Sequence, residues 1–314
     1  MKYALRRLSA LLLTMFCVPL CTFAAFSGIS GSAAEARLGT QATPERVAAL
    51  REELGLNRPF LLRYGSWLSG FATGDLGESL TYRQSVGELL AGKLYVSLLL
   101  SGMSFLLILL VSIPLSLLVV RLVGGPFDAL HTFVNQFCMA APPFFTGLLL
   151  SWIFGITLRW FTPGAFPGLD HVQESLRFLF FPALAIAIPR IAMTVRMLRG
   201  ALLRELNKDY VRTAISRGSD RNTVLRRHVL KNALTPTVAF LAQMMAEIVA
   251  GVIVVEQVFG APGLGRMLVA SISNRDYPVV QAIVVILAFW VVATNTLADL
   301  INARIDPRLT LNGF

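Results

Sequence analysis

The side chains able to do chemistry in this 314-residue chain are few, and most stand in spacings that forbid it. The stretch GELLAGKL, residues 87–94, fits the G-x4-G-K of a phosphate-binding loop. A working loop of that kind follows a buried strand and ends in Ser or Thr, whose hydroxyl holds magnesium. Here Leu94 takes that place and TYRQSV precedes it, so the match is rejected as a decoy. His131, His171 and His228 fall in separate segments without metal-ligand spacing. Cys17, Cys21 and Cys138 lie inside apolar runs with no CxxC pair, and read as small core residues. No HExxH, GxSxG or His–Asp grouping is present, which argues against an integral membrane enzyme. The expectation is a chain with no catalytic residue, metal site or cofactor of its own.

Two other groups of polar residues remain. Residues 209–236, DYVRTAISRGSDRNTVLRRHVLKNALTP, gather six cations: Arg212, Arg217, Arg221, Arg226, Arg227 and Lys231. Elsewhere, polar side chains interrupt apolar runs: Gln243 with Glu247 one turn on, Asn135 with Gln136, and Asn295 with Asp299. Such residues either line a pathway or hydrogen-bond between helices, and both readings stay open. Met193, Met197, Met244 and Met245 sit near or within the same runs and read as packing.

The elements that carry these residues follow from composition. The chain is 55% hydrophobic and 15% charged with mean hydropathy +0.66, whereas a soluble domain carries about 25% charged residues. It reads as membrane-embedded. Net charge +10 therefore bears on orientation rather than on nucleic acid, for which no aromatic-interleaved basic patch is found. Residues 8–26 are read as an uncleaved anchor, since the run is longer than a signal-peptide core. Residues 94–120, 133–158, 178–197, 237–258 and 279–303 also meet the ~20-residue length of a membrane span, which makes six helices in all. Prolines 114, 142, 143, 182 and 189 lie within them, so a packed bundle is expected. With the long outer loop left aside, 17 Lys and Arg fall on one side and 4 on the other, placing both termini in the cytoplasm.

In the cationic segment the apolar residues are spaced for helices. Leu203, Leu206, Tyr210 and Ala214 recur at three or four residues, Gly218 suits a left-handed turn, and Ser219 or Asp220 can cap a second helix. Val224, Leu225, His228 and Val229 are expected on one face of that helix, with Arg226, Arg227 and Lys231 largely opposite. This hairpin is either an interfacial element meeting lipid headgroups or a docking knob whose small residues Thr213, Ala214 and Gly218 admit a partner's backbone. In the outer loop, Thr43 caps a helix opened by Pro44 and Glu45 and closed by Gly55, and a second helix runs over residues 59–71. It reads as a cap on the bundle, a contact surface for another protein, or both.

The segment YVRTAISRGSDRNTVLRRHVLKNALTP resembles the EAA loop of ATP-binding-cassette (ABC) importer permeases, most closely the peptide and nickel branch, with RTA-x3-G, then H-x-L-x-N-A and a proline. Arg212, Thr213, Ala214, Gly218, His228, Leu230, Asn232, Ala233 and Pro236 fill those places. Thr235-Pro236 stands where the general pattern has Leu-Pro. ATPERVAALREELGLNRPFLLRYGSWL, APPFFTGLLL, VVEQVFGAPGLGRMLVASISNRDYPVVQ and NTLADLINARIDPRL are similar to other family segments in the same order, whereas SGISGSAAEARLG departs from the family's PGDP-like sequence.

The resemblance implies an all-α integral membrane protein: six transmembrane helices of the type I ABC importer permease fold with a cytoplasmic coupling-helix hairpin. It divides the chain into an anchor (residues 1–28), an extracytoplasmic helical cap (29–93) and a five-helix core (94–314) containing the EAA-type loop 203–235. It implies a bacterial inner-membrane location, a second permease as partner, and an extracytoplasmic solute-binding protein that delivers peptides, nickel or metallophore-type chelates. Separate cytoplasmic ATPases would carry ATP and magnesium and dock on Tyr210, Arg212, Thr213, Ala214, Gly218, Ser219, Asp220, His228 and Asn232. Gln243, Glu247, Asn135 and Asn295 are the candidates to line the pathway. A self-contained secondary transporter is the competing class, and the absence of an internal repeat together with the stiff hairpin argues against it.

Overall fold

The computed structural model describes residues 9, 13–14, 16–25, 43–53 and 57–305. Apart from one isolated bridge between Glu78 and Ser85, these residues form helices, turns and loops. In chain order the helices are α1 (Phe16–Ala25), α2 (Pro44–Glu53), α3 (Phe60–Thr73), α4 (Val86–Arg121), α5 (Pro126–Ala140) and α6 (Pro143–Leu150), which continues as a π-helical stretch over Ser151–Thr157. There follow α7 (Val172–Leu206), α8 (Asp209–Ser216), α9 (Arg221–Val224) with a π-helical turn over Leu225–Val229, α10 (Leu230–Phe259), α11 (Leu264–Ser273) and α12 (Tyr277–Ile305).

Among the described residues, α4, α7, the continuous α9–α10 rod and α12 are long and apolar enough to cross a membrane. The expected span over residues 133–158 is broken in two: α5 and α6 meet at a bend of 103°, and together they are long and apolar enough to count as one bent span. Pro142 and Pro143 supply no amide hydrogens, and a residue before proline is driven out of the α region, as Ala141 is at φ −74 and ψ 119. Pro114, Pro182, Pro189 and Pro236 stand singly and their helices continue through them. The first expected span, residues 8–26, lies partly outside the described residues, and α1 is its main described piece. The stretch over residues 27–39 and Gly55 lie outside them too. GELLAGKL sits inside α4, where helical backbone cannot wrap a phosphate.

The chain resolves into two compact units. The first takes the described residues of Met1–Ser97 with Pro262–Val292. Its core joins Val86 and Leu90 of α4 to Leu264 and Met267 of α11 and Val279 and Ile283 of α12. Arg46 N–H reaches the Thr43 hydroxyl at 3.4 Å at the start of α2, and Tyr64 and Trp67 of α3 pack against Phe23 of α1 with ring centroids 5.5 and 5.7 Å away. Asp276, fully buried, accepts hydrogen bonds from the Ser79 hydroxyl at 2.5 Å and from the amides of Leu80 and Thr81 at 3.0 and 3.2 Å.

The second unit takes Leu98–Ala261 with Ala293–Phe314. Its buried centre is α7, packed against α5, α6 and α10. The Thr146 hydroxyl donates within its own turn and stands 3.1 Å from the Ala185 carbonyl, tying the start of α6 to α7. Phe161 stacks on Phe181 at 4.5 Å and on Phe259 at 5.7 Å. The cysteines are not core residues: Cys17 and Cys21 are exposed and Cys138 is half-buried. In a membrane chain the lipid-facing surface is as apolar as the interior, so an apolar run does not by itself imply burial.

Candidate functional site

The hairpin after α7 is built by local bonds. Lys208 is extended (φ −80, ψ 152) and ends the turn between α7 and α8. One carboxylate ties that turn together: Glu205 accepts from Lys208 Nζ at 2.5 Å and from the Tyr210 hydroxyl at 2.8 Å. Burial raises the Tyr210 pKa above its ordinary value; the Asn232 side-chain bond opposes that rise and Glu205 adds to it. The hydroxyl therefore keeps its proton and stays a donor.

Helix α8 closes on Gly218, whose φ of +85° is left-handed. Gly218 N–H bonds the Ile215 carbonyl at 2.9 Å and Ser219 N–H reaches back to the Ala214 carbonyl at 3.1 Å, satisfying carbonyls that a helix end leaves open. Of the two caps the sequence offers, Asp220 is the one used: its carboxylate accepts from the amides of Asn222 at 3.0 Å and Thr223 at 3.3 Å. Beneath the turn, Val211, Val224, Leu225 and Val229 are buried with Leu198, Ala201 and Leu202 of α7 and Val120 of α4. Full burial of such side chains from water contributes about 1.5–3 kcal/mol each, so the hairpin is a packed extension of α7 rather than a loose loop.

What the hairpin leaves outward is a mixed surface. Arg212, Thr213, Gly218 and Asp220 are exposed, and Ala214 and Ser219 are half-buried. The Arg212–Asp209 pair, at 3.9 Å with both side chains largely in solvent, contributes little. Ile215 is 47% exposed between these polar neighbours. The sequence reading missed it; an apolar residue on the polar side of an amphipathic helix was the available signal.

One expected face is corrected. Val224, Leu225 and Val229 are buried as expected, but His228 is exposed. The backbone over Leu225–Val229 is π-helical, with more residues per turn than an α-helix, so the 3.6-residue period misplaces His228. His228 joins Arg227, Lys231, Asn232 and Tyr210 around a cleft of about 420 Å³. The structure thus brings Tyr210, His228 and Asn232 together there and sets Arg212, Thr213 and Gly218 apart from them on the exposed turn.

The intramembrane candidates separate by exposure. Gln243 and Glu247 are exposed on α10, and Ala250, Val254 and Gln257 continue the same stripe at helical spacing. Asn135 donates to the Ala192 carbonyl at 3.1 Å, which makes it an interhelical tie between α5 and α7. Gln136 and Asn295 are exposed, and Asp299 is half-buried. Arg190, one of the 17 Lys and Arg counted on one side although it falls in the expected span 178–197, is buried within α7. Its guanidinium donates to the Ile186 carbonyl at 3.1 Å and to the Glu247 carbonyl at 2.7 Å, fastening α7 to α10 directly behind the exposed Glu247 side chain. Its position between Pro189 and Ile191, inside an apolar run, was the signal.

Residues 89–311 match the family model described as "Binding-protein-dependent transport system inner membrane component", and residues 1–84 match the companion model for the N-terminal part of such components. The chain is 31% identical to the dipeptide transport system permease protein of Alkalihalophilus pseudofirmus, over 98% of this chain and 99% of that one. It is 34% identical to a probable peptide ABC transporter permease protein of Sinorhizobium fredii, over 98% of each. With the oligopeptide transport system permease protein of Bacillus subtilis it shares 37% identity, over 82% of this chain and 83% of that one.

Proposed function

The chain belongs to the family of binding-protein-dependent transport system inner membrane components and is a permease subunit of an ABC importer, and from that premise we propose that it forms half of a peptide pathway worked by ATPases docked on its 209–231 hairpin. The observation that carries this reading is the hairpin itself: a doubly closed turn, packed on α7, that holds Arg212, Thr213, Ile215 and Gly218 outward. A flexible connector would join the spans equally well. A lever must be stiff, because ATP-driven closure of a docked ATPase moves the bundle only if the element between them does not yield.

The remaining parts follow from the same premise. ATP and magnesium belong to the ATPase subunits, and this chain performs no catalysis itself. A second permease completes the pathway, and a solute-binding protein delivers cargo on the opposite side. Peptides are favoured over nickel or metallophore chelates, since the relatives above are named for dipeptide, peptide and oligopeptide transport. Gln243 and Glu247 are the residues of choice for contact with cargo, being polar and exposed on a membrane helix, whereas the Asn135 bond favours a packing role. The excess of Lys and Arg on the hairpin side supports cytoplasmic termini in the bacterial inner membrane.

Liposomes holding this chain with its partner permease and ATPases should take up a labelled dipeptide only when the binding protein is outside and ATP is inside. Uptake by this chain alone would overturn the reading, and uptake of a nickel chelate in preference to the dipeptide would overturn the cargo assignment.

A further inference from the structure

The cleft lined by Tyr210, Arg227, His228, Lys231 and Asn232 shares three residues with the expected docking set but none with the exposed turn that carries Arg212, Thr213 and Gly218. Its walls carry two cations and three further polar side chains, and no carboxylate lines it. The Glu205 carboxylate that holds the Tyr210 hydroxyl is itself paired with Lys208 at 2.5 Å. A positive concavity of about 420 Å³ with several donors suits a phosphate group.

Two further observations bear on where that phosphate comes from. Arg227 and Lys231, like His228 and Asn232, stand four residues apart and so share one side of the chain at the π-helical turn over Leu225–Val229, while Val224, Leu225 and Val229 stay buried. Such a turn is a departure from the favoured helix, and departures of this kind concentrate at functional sites. The second observation is depth. The apolar run of α10 begins at Thr237, six residues after Lys231, which at 1.5 Å per residue is about 9 Å along the helix. A headgroup layer is about 5–8 Å thick, so Lys231 stands at its outer edge, and Arg227, one further turn out, reaches it along its side chain. The cleft therefore borders the headgroup layer, and Arg212 and Thr213 are exposed on α8.

We propose that this cleft binds the phosphodiester of an anionic phospholipid from the leaflet on the hairpin's side. Arg227 and Lys231 supply the charge; Tyr210, His228 and Asn232 shape the rim. The bound headgroup holds the root of the hairpin to the bilayer and leaves its tip open to a protein partner. This goes beyond the transport reading and does not depend on the cargo.

The test uses the full chain purified in detergent and native mass spectrometry with three probes: phosphatidylglycerol, phosphatidylcholine and inorganic phosphate. Detergent micelles have no sidedness, so the outcome is independent of the orientation proposed above. Two cations at a lipid surface should give phosphatidylglycerol a roughly 30-fold preference over phosphatidylcholine. The double variant Arg227→Gln with Lys231→Gln should abolish that preference, Arg227→Lys should keep most of it, and the tip variant Arg212→Gln with Arg217→Gln should leave it unchanged. Equal loss in the tip and cleft variants would reduce the effect to net charge and overturn the site. Displacement of the lipid by inorganic phosphate would identify a free-phosphate site instead, and absence of any preference in the native chain would overturn the proposal outright.

Discussion

Replacing Gly218 by alanine, leucine and asparagine in turn separates backbone strain from contact with a partner. The glycine sits at φ +85°, and a Cβ built there meets no atom within 4 Å. Within the subunit, alanine and leucine should therefore cost the same, namely the ~1–2 kcal/mol of holding an L-residue left-handed. Asparagine, which tolerates that region, should cost less. A strain of this size speeds opening of the turn by about 5- to 30-fold. The readout is exchange of the Ser219 amide, whose hydrogen bond to the Ala214 carbonyl closes the turn at 3.1 Å. Exchange in the alanine and leucine variants should be accelerated alike, and in the asparagine variant only slightly. Peptide uptake by the assembled transporter adds the second quantity. If an ATPase backbone fits closely at Gly218, the leucine variant should transport at least about 10-fold less than the alanine variant, despite equal exchange and normal insertion. Equal uptake by those two variants would refute close approach at this residue. Unchanged Ser219 exchange in both would refute the strain from which the magnitude is worked.

Asp276→Ala should leave the Ser79 hydroxyl and the Leu80 and Thr81 amides without their acceptor, at about 1–3 kcal/mol for each donor that stays buried. Amide exchange at residues 80 and 81 should rise about 100-fold, with Asp276→Asn milder because one oxygen survives. Gly251→Ala would place a Cβ 3.2 Å from one terminal nitrogen of Arg190 and 3.4 Å from the other, pushing the guanidinium off the Glu247 carbonyl. Thermal unfolding in detergent should show a loss that largely disappears when Arg190→Met is added, since the methionine removes both the crowding and the buried charge; strictly additive effects would argue that the two residues do not interact.

The parts of the hairpin that could be read from sequence are those decided within four residues. Gly218 at the left-handed position and Asp220 at the cap depend only on neighbouring backbone groups, and residue type announces both. The bend after α5 shows the first limit. Pro142–Pro143 marks where a helix must stop, but the apolar run continues on either side, so composition reads one interrupted span and gives no measure of the 103° turn within it. Arg190 shows the second. Counted by sign it is one more inner cation, whereas its two bonds to the carbonyls of Ile186 and Glu247 make it a fastener between helices. His228 shows the third, because a period of 3.6 cannot anticipate a π-helical turn. The same reasoning divides the six cations of residues 209–236, which by charge alone say only which side of the membrane they occupy. Arg212 and Arg217 are exposed on the tip and Arg227 and Lys231 line the cleft. Because the two pairs stand on separate surfaces, neutralising one pair at a time can distinguish a protein partner from a lipid, which removing the whole charge could not.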